Sequence, residues 1–190
     1  MLEFARKNWV PVLRDKSADF LCELIQSEKP KRILEIGTCI GYSGILMLEN
    51  SQSSKLVTIE KDESKCKEAM LNFAQANLSK RVKIINEDAI ETIKRFLKNG
   101  EKFDFIFLDG PKGQYLAYLP ILKELLSKNG ILLADDIFYH GLVRKEGYPE
   151  HKHRTIVFRL REFIEKITND KDFDTIILDI DDGMSLSRLK

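Results

Sequence analysis

Apolar residues recur along this chain in strand-length runs, separated by stretches in which they fall at helical spacing. Lys31–Ile36, Lys55–Glu60, Val82–Ile85, Phe103–Leu108 and Ile131–Ala134 read as buried strands. Between them the pattern predicts helices from Tyr42 to about Asn50, from Glu63 to about Asn77, from Asp88 to near Leu97, and from about Gln114 to Leu126. An earlier helix, capped by Asp15 or Ser17 and reaching Ser27, carries Ala18, Leu21, Cys22, Leu24 and Ile25 on one face. It follows an extended lead-in from Asn8 to Arg14, in which Trp9 is expected to pack on the domain. The repeating unit is strand then helix, and a parallel sheet is its economical solution. The end of the chain departs from that unit: a helix over Arg154–Thr168 is followed by two strands, Thr175–Leu178 and Met184–Leu189. An Asp-Asp-Gly turn between those strands is too short for a parallel crossover, so the last strand should run antiparallel. The expected fold is therefore α/β, with seven mostly parallel strands, an antiparallel last strand and helices on both faces. Residues 1–190 form one domain in this reading, the first 30 being lead-in and helix.

The stretch from Ile33 to Ser43, I-L-E-I-G-T-C-I-G-Y-S, is a strand, a glycine turn and a helix start, the opening of a Rossmann-like unit. A dinucleotide turn places a pyrophosphate against bare amides, and there the Glu35 carboxylate would repel it. An acid at this point instead suits S-adenosylmethionine, which has a sulfonium and an ammonium and no phosphate. Glu60, 25 residues on, ends the next strand, where an acid accepts hydrogen bonds from ribose hydroxyls. Asp88 can cap the helix that follows it and face an adenine amine.

Composition narrows the setting. The chain is 43% hydrophobic and 32% charged, with no apolar run long enough for a signal peptide or a membrane span, so a cytoplasmic protein is expected. Its three cysteines have no C-x-x-C spacing and read as reduced. A net charge of +1 gives no global attraction to nucleic acid, which leaves the local basic segment Arg144–Arg161. Within it, His151-Lys152-His153 reads as part of a solvated cluster rather than as a metal pair.

Glu35, Glu60, Asp88, Asp109 and Asp135 all fall at or just past the carboxyl end of a predicted strand, the edge where open α/β sheets bind ligands. Gathering such acids in one crevice is unfavourable without cations. S-adenosylmethionine fits the first three. Asp109, Asp135 and Asp136 offer only oxygen, which points to Mg²⁺, Mn²⁺ or Ca²⁺. Lys112 follows Asp109 in a glycine-flanked loop, where a nearby cation would lower its pKa toward that of a general base.

These residues resemble the metal-dependent O-methyltransferases of the catechol and caffeoyl-CoA type. The likeness runs through V-P-V-L-R, L-E-I-G-T-x-x-G-Y-S, Glu60, E-D-A at 87–89, F-I-F-L-D-G-P-K-G-Q-Y, L-L-A-D-D-I and D-D-G-M-S-L. Lys112–Tyr115 and Asp136–Val143 are most similar to the bacterial branch that methylates 5-hydroxyuridine at the tRNA wobble position. The resemblance implies a class I methyltransferase fold and a homodimer, with Asp109, Asp135 and Asp136 as metal ligands and Lys112 as general base. It also implies cofactor contacts from Glu35, Gly37, Thr38, Gly41 and Ser43 at the methionine end, from Glu60 at the ribose, and from Asp88, Ala89 and Asp109. Where this chain has Asp136 the family usually has Asn, so its site carries an additional negative charge. The alternatives are a small hydroxylated aromatic in place of tRNA, an NAD(P)-dependent oxidoreductase, and a catalytically silent RNA- or cofactor-binding module.

Overall fold

The computed structural model describes Lys7 and residues 12–190, so the expectations for Trp9 and for most of the lead-in lie outside the described residues. Seven strands form one sheet in the order β3-β2-β1-β4-β5-β7-β6, and only β7 runs against the others. The chain groups into two compact units, Met1–Thr92 and Ile93–Lys190.

In the first unit, helix α1 (Asp15–Glu28) precedes β1 (Arg32–Ile36), α2 (Tyr42–Glu49), β2 (Lys55–Ile59), α3 (Glu63–Gln75) and β3 (Val82–Ile85). Four of the five β1 residues are buried, as a parallel strand covered on both faces requires. Ile36 is in register with Ile59, and Ile59 with Ile85, so the three strands end level. The Asp62 side chain caps α3 by accepting from the amides of Ser64 at 2.9 Å and Lys65 at 3.3 Å. The start of α1 differs from expectation. Arg14 occupies the N-cap position without a side-chain cap, Asp15 lies inside the first turn, and Ser17 is buried there. An acid in the first turn still complements the helix dipole, which is why the sequence signal looks alike in both cases.

Helix α4 (Ala89–Lys98) crosses the boundary between the units. The second unit continues with β4 (Phe103–Leu108), a 3₁₀ turn (Lys112–Gln114), α5 (Tyr115–Leu125), β5 (Leu126–Ala134), α6 (Arg154–Asn169), β6 (Phe173–Leu178) and β7 (Met184–Leu189). β5 starts earlier than its apolar run suggests, directly from the end of α5. Its register with β4 jumps from Phe103↔Leu126 to Phe105↔Ile131. The Asn129-Gly130 pair ahead of the apolar run is thus taken up in a bulge, where Asn129 adopts a φ of 61°. β7 pairs antiparallel with both β5 and β6, as the short turn demands. Tyr115, Phe105, Phe107, Leu122, Leu160 and Phe163 are fully buried in this unit.

Gly44 in α2 leaves no room for a side chain: a Cβ there would lie 2.7 Å from the Phe73 ring and 2.8 Å from Leu56 Cδ2. Alanine is the better helix former by about 1 kcal/mol, but overpacking a rigid core costs about 1–3 kcal/mol. Gly44→Ala should therefore lower stability by about 1 kcal/mol. A urea unfolding midpoint equal to or above wild type would contradict this packing.

Candidate active site

In the first unit the glycine turn is built over a buried carboxylate. Glu35 has no exposed surface, and its two oxygens accept from Ser43 Oγ at 2.5 Å and Thr58 Oγ1 at 2.6 Å. Thr58 has one hydroxyl proton, already given to Glu35, so the 2.6 Å contact between Thr38 Oγ1 and Thr58 Oγ1 is a donation from Thr38. The chain of hydrogen bonds ties the end of β1, the turn and the start of α2 to β2. The amides of Gly37 and Thr38 add bonds to Ile59 O at 3.0 and 3.3 Å. Gly41 caps α2 with a φ of 87°, and a Cβ there would come 2.9 Å from the Phe73 ring. Glycine is the residue that fits.

Glu60, half-buried just past β2, accepts from the Cys39 amide and the Asp62 amide, both at 3.0 Å. These two amides fix the direction of its carboxylate. Asp88 is exposed and caps α4, accepting from the Ile90 amide at 3.0 Å, with Ala89 next to it. Thus Glu35, Gly37, Thr38, Gly41, Ser43 and Glu60 form one connected cluster about the turn. Asp88 and Ala89 lie past β3 in the same unit. Thr58, the proton donor to Glu35, was not singled out from the sequence; its signal is a polar residue within the otherwise apolar run L-V-T-I of a buried strand.

The second unit brings together the oxygen donors expected of a metal centre. Asp109 directly follows β4, Asp135 directly follows β5, and Asp136 is held at a φ of 52°. One carboxylate oxygen from each lies within 4.8 Å of the others. A hard divalent cation with oxygen distances of about 2.1–2.5 Å suits such a donor set, which contains neither thiolate nor imidazole. Lys112 Nζ sits against the cluster, 2.6 Å from Asp109 Oδ1, 2.8 Å from Tyr115 Oη, 3.2 Å from the Asp135 carbonyl and 3.8 Å from Asp136 Oδ2. Tyr115 Oη accepts from Lys112 and lies 2.9 Å from Leu108 O, to which it donates. The i,i+3 spacing of Lys112 and Tyr115 is the signal that could have marked the tyrosine.

The carboxylates set the charge state of Lys112 when no cation shares the site. Burial opposes the charged form of Lys112, but Asp109 chiefly, with Tyr115 and Asp136, holds its pKa above the ordinary value. With these neighbours Lys112 is an ammonium, because carboxylates outweigh desolvation. Burial raises the Tyr115 pKa, so it is a neutral phenol. Asp135 is pushed up to about 7, first by burial and then by Asp109 and Asp136, with Lys112 opposing.

The basic segment is more occupied than its composition implies. Arg144 pairs with Asp179 at 2.8 Å and lies 3.6 Å over the Phe138 ring. Arg159 donates to Gly113 O at 2.9 Å, and Arg161 to Val143 O at 3.1 Å and to Lys145 O. Lys152 pairs with Glu150 at 3.3 Å, and His151 is exposed.

The model of the O-methyltransferase family matches residues 4–190. The chain belongs to that family. A caffeoyl-CoA O-methyltransferase from Populus kitakamiensis is 28% identical over 177 residues, covering 89% of this chain and 74% of its own. A catechol O-methyltransferase from Niastella koreensis is 32% identical over 133 residues, covering 69% of this chain and 60% of its own. Among solved structures, an O-methyltransferase from Bacillus cereus in complex with SAH has a TM-score of 0.88 at 27% identity, covering 100% of this chain and 88% of its own. The triad and Lys112 therefore lie in an O-methyltransferase framework that spans nearly the whole chain.

The raised Asp135 pKa fixes the sign of a pH effect. A carboxyl with a folded pKa above its unfolded value of about 3.9 contributes stability that is complete below that value and is lost as pH rises through about 7. In chelator, the wild-type melting midpoint should fall from pH 4 to pH 7 relative to Asp135→Asn, which lacks this group. Parallel pH profiles for the two proteins would contradict the shift.

Proposed function

We propose that this O-methyltransferase moves the methyl group of S-adenosylmethionine to a hydroxyl oxygen of a small catechol-like or phenolic substrate, with a divalent cation bound by Asp109, Asp135 and Asp136. The observation that carries the proposal is this carboxylate cluster with Lys112 Nζ against it, in a chain that matches the O-methyltransferase family from residue 4 to 190. Mg²⁺ is the expected ion, and Mn²⁺ or Ca²⁺ would fit the same oxygens. When bound, the metal supplies a Lewis acid that lowers the pKa of the substrate hydroxyl.

In this reading the residues of the first unit hold the cofactor. Glu60, its carboxylate aimed by two amides, accepts from the ribose hydroxyls. The backbone of Gly37, Thr38 and Gly41 and the hydroxyl of Ser43 line the methionine end, with the Glu35 charge beneath the turn. Asp88 and Ala89 stand at the adenine, and Asp109 also borders the cofactor. In the second unit Lys112 takes the hydroxyl proton at Nζ. Asp109 and Asp136 hold the proton already on that amine; once their charge is balanced otherwise, burial is left to depress the Lys112 pKa. Tyr115 Oη keeps Nζ in place throughout. The substrate oxygen attacks the methyl carbon in line as the carbon–sulfur bond breaks, so catalysis is positioning and charge balance without a covalent enzyme intermediate.

The names of the relatives support a small aromatic substrate, as does the engagement of Arg144, Arg159 and Arg161 within the protein. The wobble 5-hydroxyuridine of tRNA is the second reading. It is favoured by the exposed Tyr148, which packs edge-on against Phe158 at 5.9 Å with Arg154 also 5.9 Å from its ring, an aromatic–cation pairing suited to base stacking.

The test is labelled-methyl transfer to a catechol and to tRNA carrying 5-hydroxyuridine, each with Mg²⁺ and with a chelator. Chelator-sensitive labelling of the catechol is expected; labelling of tRNA alone would select the second reading. Asp109→Ala should reduce transfer to background, and Lys112→Met should lower kcat by about 10²–10⁴-fold, as loss of a general base does. Wild-type turnover in Asp109→Ala would remove the metal from the mechanism.

A further inference from the structure

The closing Asp-Asp-Gly motif lies far along the sequence from Asp136, yet the fold places it against the loop that carries this residue. Asp182 is 6% exposed despite its charge. Its Oδ2 accepts from the His140 amide and its Oδ1 from the Gly141 amide at 3.0 Å. The Asp182 carbonyl accepts from the Phe138 amide at 2.9 Å, and the Gly183 carbonyl from the Ile137 amide at 3.0 Å. Four backbone donors of the loop, at 137, 138, 140 and 141, therefore end on two residues of the β6–β7 turn. The first of them belongs to the residue directly after Asp136.

That loop needs such support. Asp136, Tyr139 and His140 have φ values of 52°, 48° and 58°, and Gly141 has 70°. Left-handed backbone at three non-glycine residues is unfavourable in isolation and persists where surrounding contacts over-determine it. Phe138 closes the arrangement from the other side: a Cβ on Gly183, whose φ is 82°, would lie 2.1 Å from the ring. The turn and the loop are fitted to each other at side-chain and backbone level.

We propose that Asp182 is a positioning residue for the Asp136 side of the metal centre, holding the 136–141 loop so that the Asp136 carboxylate faces Asp109 and Asp135. The inference rests on the metal-binding reading of that triad. Asp182 touches neither metal nor substrate; it acts through backbone amides, and partners that orient metal ligands typically account for about 10–100-fold in metal affinity. Two part-buried amides are matched by two carboxylate oxygens. An asparagine would turn an NH₂ toward one of them, leaving a donor facing a donor.

The experiment compares wild type, Asp182→Asn and Asp181→Asn, an equal charge change on the neighbouring exposed turn residue. Mn²⁺ binding is read from the electron paramagnetic resonance of the free ion, SAH binding by calorimetry, and the loop by amide hydrogen exchange at residues 137–141. Asp182→Asn should weaken Mn²⁺ binding about tenfold or more and speed exchange at these amides, with SAH affinity within about twofold of wild type; Asp181→Asn should match wild type in all three. Unchanged Mn²⁺ affinity in folded Asp182→Asn overturns the proposal, and so does unchanged loop exchange. Absence of Mn²⁺ binding by the wild type overturns the metal reading itself, and in that case the exchange data still decide whether Asp182 anchors the loop. If Asp182→Asn does not fold, Asp182→Glu, which keeps both oxygens but displaces them by one methylene, carries the same expectation.

Discussion

The requirement on which the second unit turns is charge balance among three carboxylates whose oxygens lie within 4.8 Å. Asp109 and Asp135 are carried to this spot by adjacent parallel strands that end level, Leu108 beside Ala134. Such a cluster is stable only with a positive partner, and Lys112 Nζ is placed at 2.6 Å from Asp109 to be one. Tyr115 is organised by the same requirement: its buried hydroxyl accepts from the ammonium and hands its own proton to a strand carbonyl. The group that balances the cluster is therefore the group best placed to exchange a proton beside it.

The first unit meets a similar difficulty by different means. Glu35 is buried, and hydroxyls from Ser43, Thr58 and, one step removed, Thr38 form a chain of hydrogen bonds that ends on its carboxylate. Glu60 differs again, half-exposed and held by amides alone, in keeping with a group that accepts from neutral hydroxyls.

Loops past β5 add the third layer of support. The positive-φ loop after Asp135 has turn bonds of its own, such as the Tyr139 amide to Asp136 O, and the amides of Ile137, Phe138, His140 and Gly141 are received by carbonyls and the Asp182 carboxylate of the last hairpin. The antiparallel β7, paired with β5 along Ile131–Ala134, sets the hairpin turn beside that loop. A topological feature at the end of the chain thus holds the loop that follows Asp136.

Much of this was readable from residue order alone. Strand-length apolar runs located β1, β2, β4 and the end of β5, since side-chain burial on both faces of a parallel strand leaves a continuous hydrophobic record. The short Asp-Asp-Gly connection determined the antiparallel β7, and acids at strand ends identified Asp109, Asp135 and Asp136 because the carboxyl ends of parallel strands share an edge. Tertiary structure alone decided the rest. It placed Leu126–Gly130 within β5 by way of a bulge, because the end of α5 delivers the chain directly to β4. It made Lys112 an ammonium, since its pKa depends on which carboxylates face it and not on its loop. It turned Arg159 and Arg161 inward onto carbonyls 46 and 18 residues away in sequence, where composition had shown only a basic stretch. Periodicity is a local property and is written in sequence; charge state and hydrogen-bond partnership are set by neighbours that only the folded chain brings within reach.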